Sequence, residues 1–341
     1  MLSRERVVSA LHFRRPDVIP VEYHPSPAGI WEHGAALRNL WERFPHDFGD
    51  CRDFPDRRPD PQWLDASGSY EEFRRDEWGV LWHQLIFGVH GHPLERPVDD
   101  WDNLDCFRPP RVPVTDAAEQ AQAAAHIRQF YLKSGWISLF ETMHAVRQFE
   151  SVLMDLATDD PKLHVLADRI TEYQLGVIRY LLARGVDAIQ FGDDFGTSTG
   201  LMMSPAVWRR FFKPRYQRLI SEIRAAGKAV FFHTCGKNNR ILEDLAELGV
   251  DAIWPQLSGY EPGELSRFCR QHGIAIAIHP DRGELMTNGR PREIEAEVMR
   301  LADEFGIDDG GAWFYVEIDS GFPLENVTAL IEAIGRLRGL A

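Results

Sequence analysis

Short apolar runs alternate with amphipathic stretches along the chain from about residue 136 onward, and one further apolar run lies near the start. The apolar runs span 18–23, 136–141, 187–194, 228–236, 251–256, 274–281 and 311–319. The periodic spacing of apolar residues between them predicts helices at 147–157, 161–184, 204–226, 238–248, 261–272, 291–305 and 323–338. Strands that alternate with helices are typical of parallel βαβ units. Apolar runs without polar alternation indicate strands that are buried on both faces of a sheet.

Polar residues that can do chemistry stand at the ends of these predicted strands. They are Glu141, Asp193, Asp194, His233, Cys235, Gln256, His279, Asp281, Glu317 and Asp319. A (β/α)8 barrel builds its active site from the C-terminal ends of several strands. An open doubly wound sheet binds ligands only at its switch point. Polar residues at nearly every strand end therefore favour an α/β fold of the (β/α)8 TIM-barrel type.

The part of the chain before this regular pattern is different. Residues 25–135 are rich in proline and tryptophan, with one alanine-rich stretch near 116–132 that predicts a helix and a hairpin pattern at 78–89. A long irregular segment inside a domain is often a lid over a site. We therefore expect a single barrel domain over 1–341 that contains a lid-like insertion at 25–135.

Composition and charge restrict the class of partner. The chain is 44% hydrophobic and 26% charged, as in an ordinary globular protein. Its net charge of -14 argues against nucleic acid and anionic membranes, which carry charge of the same sign. No apolar run approaches the roughly 18 residues of a membrane span, and the first residues are too charged for a secretory signal. We expect a cytoplasmic enzyme with a small-molecule substrate.

The tetrapeptide His233-Thr234-Cys235-Gly236 is the sharpest chemical feature. Residues two apart on a strand point to the same side, so the imidazole and the thiol converge. Imidazole nitrogen and thiolate sulfur suit zinc, and a catalytic zinc site keeps three protein ligands and one open position. The alternative is a packed histidine beside an inert buried cysteine. Gly236 permits the tight turn that such a site requires.

A third metal ligand has three candidates at the ends of the last two strands: Glu317, Asp319 and His279. Carboxylate oxygen and imidazole nitrogen are both acceptable zinc ligands. For Glu317, a purely structural hydrogen-bonded carboxylate is an equally open alternative.

The catalytic candidates are carboxylates at two other strand ends. Asp193 and Asp194 are adjacent, so on an extended strand one faces the barrel mouth while the other caps a turn or helix. A carboxylate at the mouth can orient a substrate or accept a proton. Glu141, which is close in sequence to His144, is a candidate for the same role. The alternative is that Glu141 and His144 form a purely structural pair. The candidates for substrate binding are His24, Gln190, Gln256 and Asp281.

Several long motifs carry a family resemblance. They are SRERVVSALHFRRPDVIPV, FETMHAVRQFESVLMDL, FGDDFGTSTGLMMSPAVWRRFFKPRYQRL, and HTCG followed by ILEDLAELGVDAIWPQ. In this order they resemble the uroporphyrinogen decarboxylase superfamily, and most closely its zinc-dependent corrinoid methyltransferase and O-demethylase-like branch. The resemblance implies that a methyl group moves between a small methyl donor or thiol and a corrinoid. It also implies that His233 and Cys235 correspond to two of that branch's zinc ligands.

The chain departs from both branches of that superfamily. The decarboxylases carry an arginine-rich R-Q-A-G-R segment after the first strand, whereas this chain reads EYHPSPAGIWEHG and has no arginine there before Arg38. The methyltransferases usually have a further cysteine at the last strand, where this chain has Glu317, Ile318 and Asp319. Their G-G-I-D is Ile278-His279-Pro280-Asp281 here, so Asp281 is kept and His279 is added.

The sequence therefore predicts a zinc-dependent methyltransferase. Because the chain has no D-x-H-x-x-G segment of corrinoid-binding domains, the methyl-corrinoid is expected to arrive on a separate partner protein. Two alternatives remain open: a decarboxylase of a carboxylated substrate, of the uroporphyrinogen decarboxylase type, and a non-catalytic ligand-binding barrel.

Overall fold

The computed structural model describes residues 1–89 and 91–340, so His90 and Ala341 lie outside the described residues. The chain begins with helix α1 (Ser3–Leu11), enters the main sheet at strand β1 (Val21–Pro25), and continues into the kinked helix α2 (Pro27–Arg43). The stretch from 44 to 132, which we call the insertion, contains β2 (Glu72–Arg75), β3 (Leu81–Gln84), β4 (His92–Glu95) and α3 (Ala117–His126).

The rest of the chain alternates between strands and helices. In order, these are β5 (Lys133–Ile137), α4 (Phe140–Val146), α5 (Phe149–Thr158), α6 (Pro161–Arg184), β6 (Ala188–Gly192), α7 (Pro205–Phe211), α8 (Lys213–Ala225), β7 (Ala229–Thr234), α9 (Leu242–Leu248), β8 (Ala252–Pro255), α10 (Pro262–His272), β9 (Ala275–Ile278), α11 (Glu284–Asn288), α12 (Pro291–Phe305), β10 (Ala312–Ile318) and α13 (Leu324–Leu337).

Seven parallel strands form one curved sheet in the order β1-β10-β9-β8-β7-β6-β5. The helices that connect them pack on the outside of this sheet, which confirms the predicted (β/α)8 TIM-type barrel. The register pairs Gly192 with His233, and His24 with Glu317. All strands run in the same direction, so their C-terminal ends meet at one mouth.

The two edge strands β1 and β5 do not pair with each other directly, and a short irregular segment together with an ion pair joins them. Asp47 donates its backbone N–H to the carbonyl of Val21 (2.9 Å) and accepts one from Tyr131 (3.3 Å), so an irregular segment lies between the edges. Inside the barrel, Lys133 of β5 forms an ion pair with Glu22 of β1 at 2.6 Å; Glu22 is buried, and the Lys133 side chain is 11% exposed. This polar seam completes the circle of the barrel.

The barrel interior pairs large aromatic side chains with small ones. Phe231, Trp254, Trp313 and Tyr315 fill it together with four alanines at 188, 252, 275 and 277. The outward faces of the strands pack against the helices in a second, larger cluster of aliphatic and phenylalanine side chains. Two apolar layers therefore flank each strand, as the continuous apolar runs predict.

Two predicted elements were wrong in their bounds. The strand predicted at 136–141 is β5, which ends at Ile137, and Glu141 lies in the first turn of α4. The carboxylate of Asp193 accepts the backbone N–H groups of 139, 140 and 141, and these bonds fix them as a helix start. The helix predicted at 204–226 is divided into α7 and α8 at Phe212, because Pro214 lacks the N–H that a continuous helix needs.

The insertion has a regular core. Strands β2, β3 and β4 form an antiparallel sheet in which Phe73, His83 and His92 are register partners. The hairpin predicted at 78–89 was wrong in its bounds, because that range contains only β3, whose partners β2 and β4 lie before and after it. Through the described residues, no helix has both the length and the apolar character needed to cross a bilayer.

Candidate metal centre at the barrel mouth

The loops that follow β6 and β7 are bonded to each other through their backbones. Gly196 donates its N–H to the carbonyl of Cys235 (3.2 Å), and Lys237 donates to Thr197 (2.8 Å). Gly236 has a φ of +75°, and a Cβ there would lie 2.2 Å from the backbone of Gly196. Only glycine fits at this contact. The close approach brings the residues that follow β6 next to Cys235.

Three candidate ligand atoms meet at this contact: an oxygen of Asp194, Nε2 of His233 and Sγ of Cys235. All three lie within 4.8 Å of one another. Nε2 of His233 is 3.3 Å from Sγ of Cys235 and 3.4 Å from Oδ1 of Asp194. The same Oδ1 accepts the backbone N–H of Cys235 at 2.7 Å, which fixes the carboxylate in place. The sequence predicted His233 and Cys235 as ligands but proposed Glu317, Asp319 or His279 as the third, where the structure places Asp194.

The surroundings of His233 set its tautomer and charge. Nδ1 lies 2.8 Å from the backbone carbonyl of Trp254, so Nδ1 carries the proton and the Nε2 lone pair faces the cluster. Burial lowers the pKa of His233 to about 4, which keeps the imidazole neutral at pH 7. A neutral imidazole with a free Nε2 lone pair is the form that binds a metal.

The thiol of Cys235 is unreactive in these surroundings. Burial, together with the negative charge of Asp194, raises the pKa of Cys235 to about 12. A thiol with a raised pKa is a poor nucleophile, because only the thiolate attacks. Cys235 is therefore a neutral thiol in the metal-free protein, and a bound cation would be needed to deprotonate it.

Glu317 lies beside this cluster in an ion pair with Arg282, whose Nη1 is 2.5 Å from Oε1. Burial raises the pKa of Glu317 to about 7, and it also raises the pKa of Asp319. The second oxygen, Oε2, is buried and has no hydrogen-bond partner among the described residues. The positive charge next to Glu317 is that of Arg282. Sequence reasoning missed this residue, although it directly follows Asp281.

Asp193 faces away from the cluster, into the helical layer. It is fully buried, and its carboxylate accepts the N–H groups at the start of α4 as well as the hydroxyl of Tyr216. Burial raises the pKa of Asp193 to about 7. Of the two adjacent aspartates, Asp194 faces the mouth and Asp193 anchors the first turn of α4.

The other candidates from β8 and β9 have structural bonds. Both ring nitrogens of His279 lie near backbone carbonyls, Nδ1 at 3.0 Å from Pro280 and Nε2 at 2.9 Å from Pro255. His279 is therefore not one of the clustered ligands. Gln256 accepts the N–H of Gly236 (2.9 Å), and Asp281 accepts that of Leu285 (3.2 Å).

Two clefts open beside the cluster. Gln256, His279, Asp281, Arg282 and Asp319 line one of about 660 Å³. A larger cleft of about 980 Å³ lies between the sheet of the insertion and α4. Its lining residues include Arg74, Trp82, Trp136, Glu141 and His144.

Glu141 and His144 are partners in the larger cleft. His144 Nε2 lies 3.2 Å from the Glu141 carboxylate. Trp136, which lines this cleft, also packs against His233 with ring centroids 5.6 Å apart. Glu141 is therefore outside the ligand cluster but next to a cleft that adjoins it.

An aromatic floor lies beneath the ligand cluster. Trp254 packs against His233 (ring centroids 4.0 Å apart) and against Tyr315 (4.1 Å). His24 stacks on Tyr315 at 5.3 Å and is exposed to the mouth. Gly192 makes room for Trp136, because a Cβ there would lie 2.1 Å from the indole ring. Gln190 is buried on the same strand, two residues earlier.

Sequence reasoning missed Trp254 and Tyr315 because they look like ordinary core residues. A signal was nevertheless present. Trp254 precedes Gln256 by two residues, and Tyr315 precedes Glu317 by two, so each shares a strand face with a polar mouth residue.

Comparison with known proteins places these residues in a family context. The family model "Uroporphyrinogen decarboxylase (URO-D)" matches residues 95–337. A uroporphyrinogen decarboxylase of Nocardia farcinica is 28% identical over 146 residues, which are 42% of this chain and 39% of that protein. One of Thermus thermophilus is 30% identical over 107 residues, or 31% of this chain and 30% of that protein. The matches thus span less than half the length of these curated relatives.

Among solved structures, a methyltransferase from Methanosarcina mazei has a similar fold. The TM-score is 0.65 at 18% identity, and the superposition covers 98% of this chain and 99% of the other. At this identity the likeness concerns the fold alone.

Proposed function

Since this chain belongs to the uroporphyrinogen decarboxylase family, a family of enzymes, we propose that it is a zinc-dependent methyltransferase. In this proposal a methyl group moves between a small methyl donor or thiol and a corrinoid carried by a partner protein. The observation that carries the proposal is the cluster of Asp194, His233 and Cys235 at the barrel mouth.

The donor set fits a catalytic zinc ion. One carboxylate oxygen, one imidazole nitrogen and one sulfur are the atoms that zinc binds, and three protein ligands leave a position for a substrate. The backbone bonds to Nδ1 of His233 and to Oδ1 of Asp194 supply the orienting contacts that metal ligands usually have. A zinc ion held there would supply Lewis acidity, which lowers the pKa of a substrate thiol or polarises a methoxy oxygen.

The chain's own residues define the rest of the site. His233 stays neutral, and Asp194 and Cys235 supply negative charge to a cation. Trp136, Trp254 and His24 surround the mouth with aromatic surface, which excludes water from a bound substrate. Glu317 and Asp319 lie beside the ligand cluster, and the cation of Arg282 offsets part of their charge.

Methyl transfer balances without an external oxidant or reductant. The carbon–cobalt bond of a methyl-corrinoid breaks heterolytically, and the methyl group bonds to the sulfur of a thiolate. The electron pair stays on cobalt, which becomes Co(I). The proton of the thiol leaves to solvent when the thiolate forms.

A mixture of zinc-loaded protein, free methylcobalamin and a small thiol tests this proposal. We expect the absorbance of methylcobalamin to fall and that of cob(I)alamin to rise under anaerobic conditions, at least tenfold faster than with the Cys235→Ser variant. An equal rate with both proteins would contradict the proposal.

Decarboxylation is the second candidate function. Arg282 favours it, because a guanidinium at the mouth is a partner for a substrate carboxylate. The names of the curated relatives favour it as well. Release of CO2 from uroporphyrinogen III by the metal-free protein, with loss of this activity in Arg282→Gln, would support it over methyl transfer.

A further inference from the structure

Three buried polar atoms beneath the ligand cluster have no hydrogen-bond partner within the described chain. They are Nε1 of Trp254, the hydroxyl of Tyr315 and Oε2 of Glu317. Trp254 is 8% exposed and Tyr315 is 1% exposed, so solvent at the protein surface does not satisfy them. Buried polar groups are almost always paired, and an unpaired group calls for a ligand or a water.

Strand geometry and ring packing bring the three side chains together. Tyr315 and Glu317 are two residues apart on β10 and therefore project to the same face. The rings of Tyr315 and Trp254 are 4.1 Å apart at their centroids. Trp254 also packs on His233, so this group of side chains lies next to the proposed zinc ligands.

The hydrogen-bonding capacity of the three atoms indicates which chemical group could bind to all of them. Nε1–H of Trp254 donates, the Tyr315 hydroxyl donates or accepts, and Oε2 of Glu317 accepts. A hydroxyl group accepts two hydrogen bonds and donates one, which matches this set. An ionised Glu317 repels a carboxylate, which could bind here only to the protonated form of Glu317, and an ammonium group has no lone pair for Trp254.

We infer that Trp254, Tyr315 and Glu317 form a subsite for a hydroxyl group of the substrate, next to its reacting thiol or methyl group. This inference rests on the proposed function, because it defines the substrate class of the same site. The substrate is then a small hydroxylated thiol or methyl donor, and the aromatic floor packs against its carbon atoms.

Calorimetry on the zinc-loaded protein tests the inference with two thiols of equal size. 2-Mercaptoethanol and 1-propanethiol differ in one terminal group, a hydroxyl in the first and a methyl in the second. We expect 2-mercaptoethanol to bind about tenfold more tightly, as hydrogen bonds to otherwise unpaired groups would produce. In Tyr315→Phe and in Trp254→Phe the preference should fall to about threefold or less.

Tyr23→Phe is the matched control variant. Tyr23 is also a buried tyrosine of a barrel strand, but its hydroxyl donates to the carbonyl of Phe44 at 2.7 Å, outside the mouth. Its preference for 2-mercaptoethanol should equal that of the wild type. Because two independent variants remove two different atoms, failure of one to fold leaves the other as a test.

The outcomes separate the inference from the proposed function. Equal affinity of the wild type for the two thiols would overturn the hydroxyl subsite and leave an ordered water as its occupant, while thiol binding to zinc would still stand. A preference that persists in both variants would also overturn it. If neither thiol binds the zinc-loaded protein, the thiol form of the proposed function is contradicted, and the subsite inference is overturned with it.

Discussion

At the scale of single residues, two adjacent aspartates have different tasks. Asp193 accepts three backbone N–H groups at the start of α4 and the hydroxyl of Tyr216, and it is fully buried. Asp194 lies at the mouth, where its oxygen is 3.4 Å from Nε2 of His233. Substituting each aspartate in turn should therefore distinguish the structural role of Asp193 from the proposed metal-binding role of Asp194.

We predict that Asp193→Asn destabilises the fold and that Asp194→Asn does not. An asparagine at 193 presents an amide to several N–H donors, and leaving such buried donors unpaired costs about 2–4 kcal/mol in all. Urea unfolding of the metal-free proteins measures this difference. Zinc content per folded chain should be unchanged in Asp193→Asn and reduced in Asp194→Asn. The reverse pattern would contradict the assignment.

The sequence alone predicted that one of these two aspartates faces the mouth, but not which one. The alternation of side chains along an extended strand shows only that Asp193 and Asp194 face opposite sides. Which of the two faces the mouth depends on the conformation of the loop after Gly192. For the same reason the sequence left the third ligand open among Glu317, Asp319 and His279. The carbonyls that face His279 belong to Pro255, at the end of the neighbouring strand β8, and to Pro280, so only the folded chain shows that both ring nitrogens are occupied.

At the scale of elements, the contact between the loops after β6 and β7 holds the ligand cluster together. Each loop places a glycine at the crossing, and the Cβ of any other residue at 236 would enter the backbone of Gly196. The positive φ of Gly236 adds strain for any residue with a Cβ.

We predict that Gly236→Ala lowers the free energy of unfolding by about 2 kcal/mol or more and weakens zinc binding. The added methyl group pushes the two loops apart and moves Asp194 away from Cys235. Thermal unfolding and zinc titration measure the two effects. Gly227→Ala is the control, because Gly227 also has a positive φ but has no neighbour within 4 Å of its Cβ. Equal zinc affinity in both variants would contradict this account.

A cluster of charged side chains also connects helix α9 to helices α7 and α8. Asp244 of α9 is buried and accepts hydrogen bonds from Arg209 (3.0 Å) and Lys213 (2.8 Å). Burial alone would raise the pKa of Asp244, but the hydrogen bonds from the two cations outweigh it and lower the pKa below its ordinary value.

We predict a pH-dependent loss of stability in Asp244→Asn. A carboxylate with a lowered pKa stabilises the folded state above its unfolded pKa of about 3.9, and this stabilisation is lost as the pH falls through the folded pKa. Asp244→Asn should therefore cost about 1–2 kcal/mol at pH 7 and progressively less below about pH 4. Urea unfolding at pH 7 and pH 3, with the exposed Asp308→Asn as control, measures this. A cost that does not change with pH would contradict the electrostatic cause.

Element types were largely predictable because the apolar period changes from strand to helix along the chain. The predicted bounds were wrong where a contact with a distant part of the chain determines where an element begins or ends. The first turn of α4 is fixed by the distant carboxylate of Asp193, so the apolar residues before Glu141 looked like a longer strand. The sheet of the insertion is short and half exposed, and its weak alternation predicted only a hairpin.

At the scale of the whole molecule, the barrel is closed at one seam by polar contacts. Lys133 and Glu22 form a buried ion pair between the two edge strands, and Lys133 also lies over the rings of Phe48, Phe231 and Tyr315. Removing one partner of a buried pair leaves an uncompensated charge.

We predict that Lys133→Met destabilises the barrel by about 3–5 kcal/mol. The double variant Lys133→Met/Glu22→Gln should recover part of this loss, because no unpaired charge remains in the interior. Chemical denaturation of the single and double variants gives the coupling energy. Purely additive effects would show that the pair does not act as a unit across the seam.

Zinc content of the purified protein tests the central claim most directly. Metal analysis should find about one zinc per chain in the wild type and in Cys269→Ser, whose cysteine is buried in α10 outside the mouth. Cys235→Ser should lose this zinc while it remains folded. Stoichiometric zinc in Cys235→Ser, or equal loss in both variants, would contradict the assignment of the metal to Asp194, His233 and Cys235.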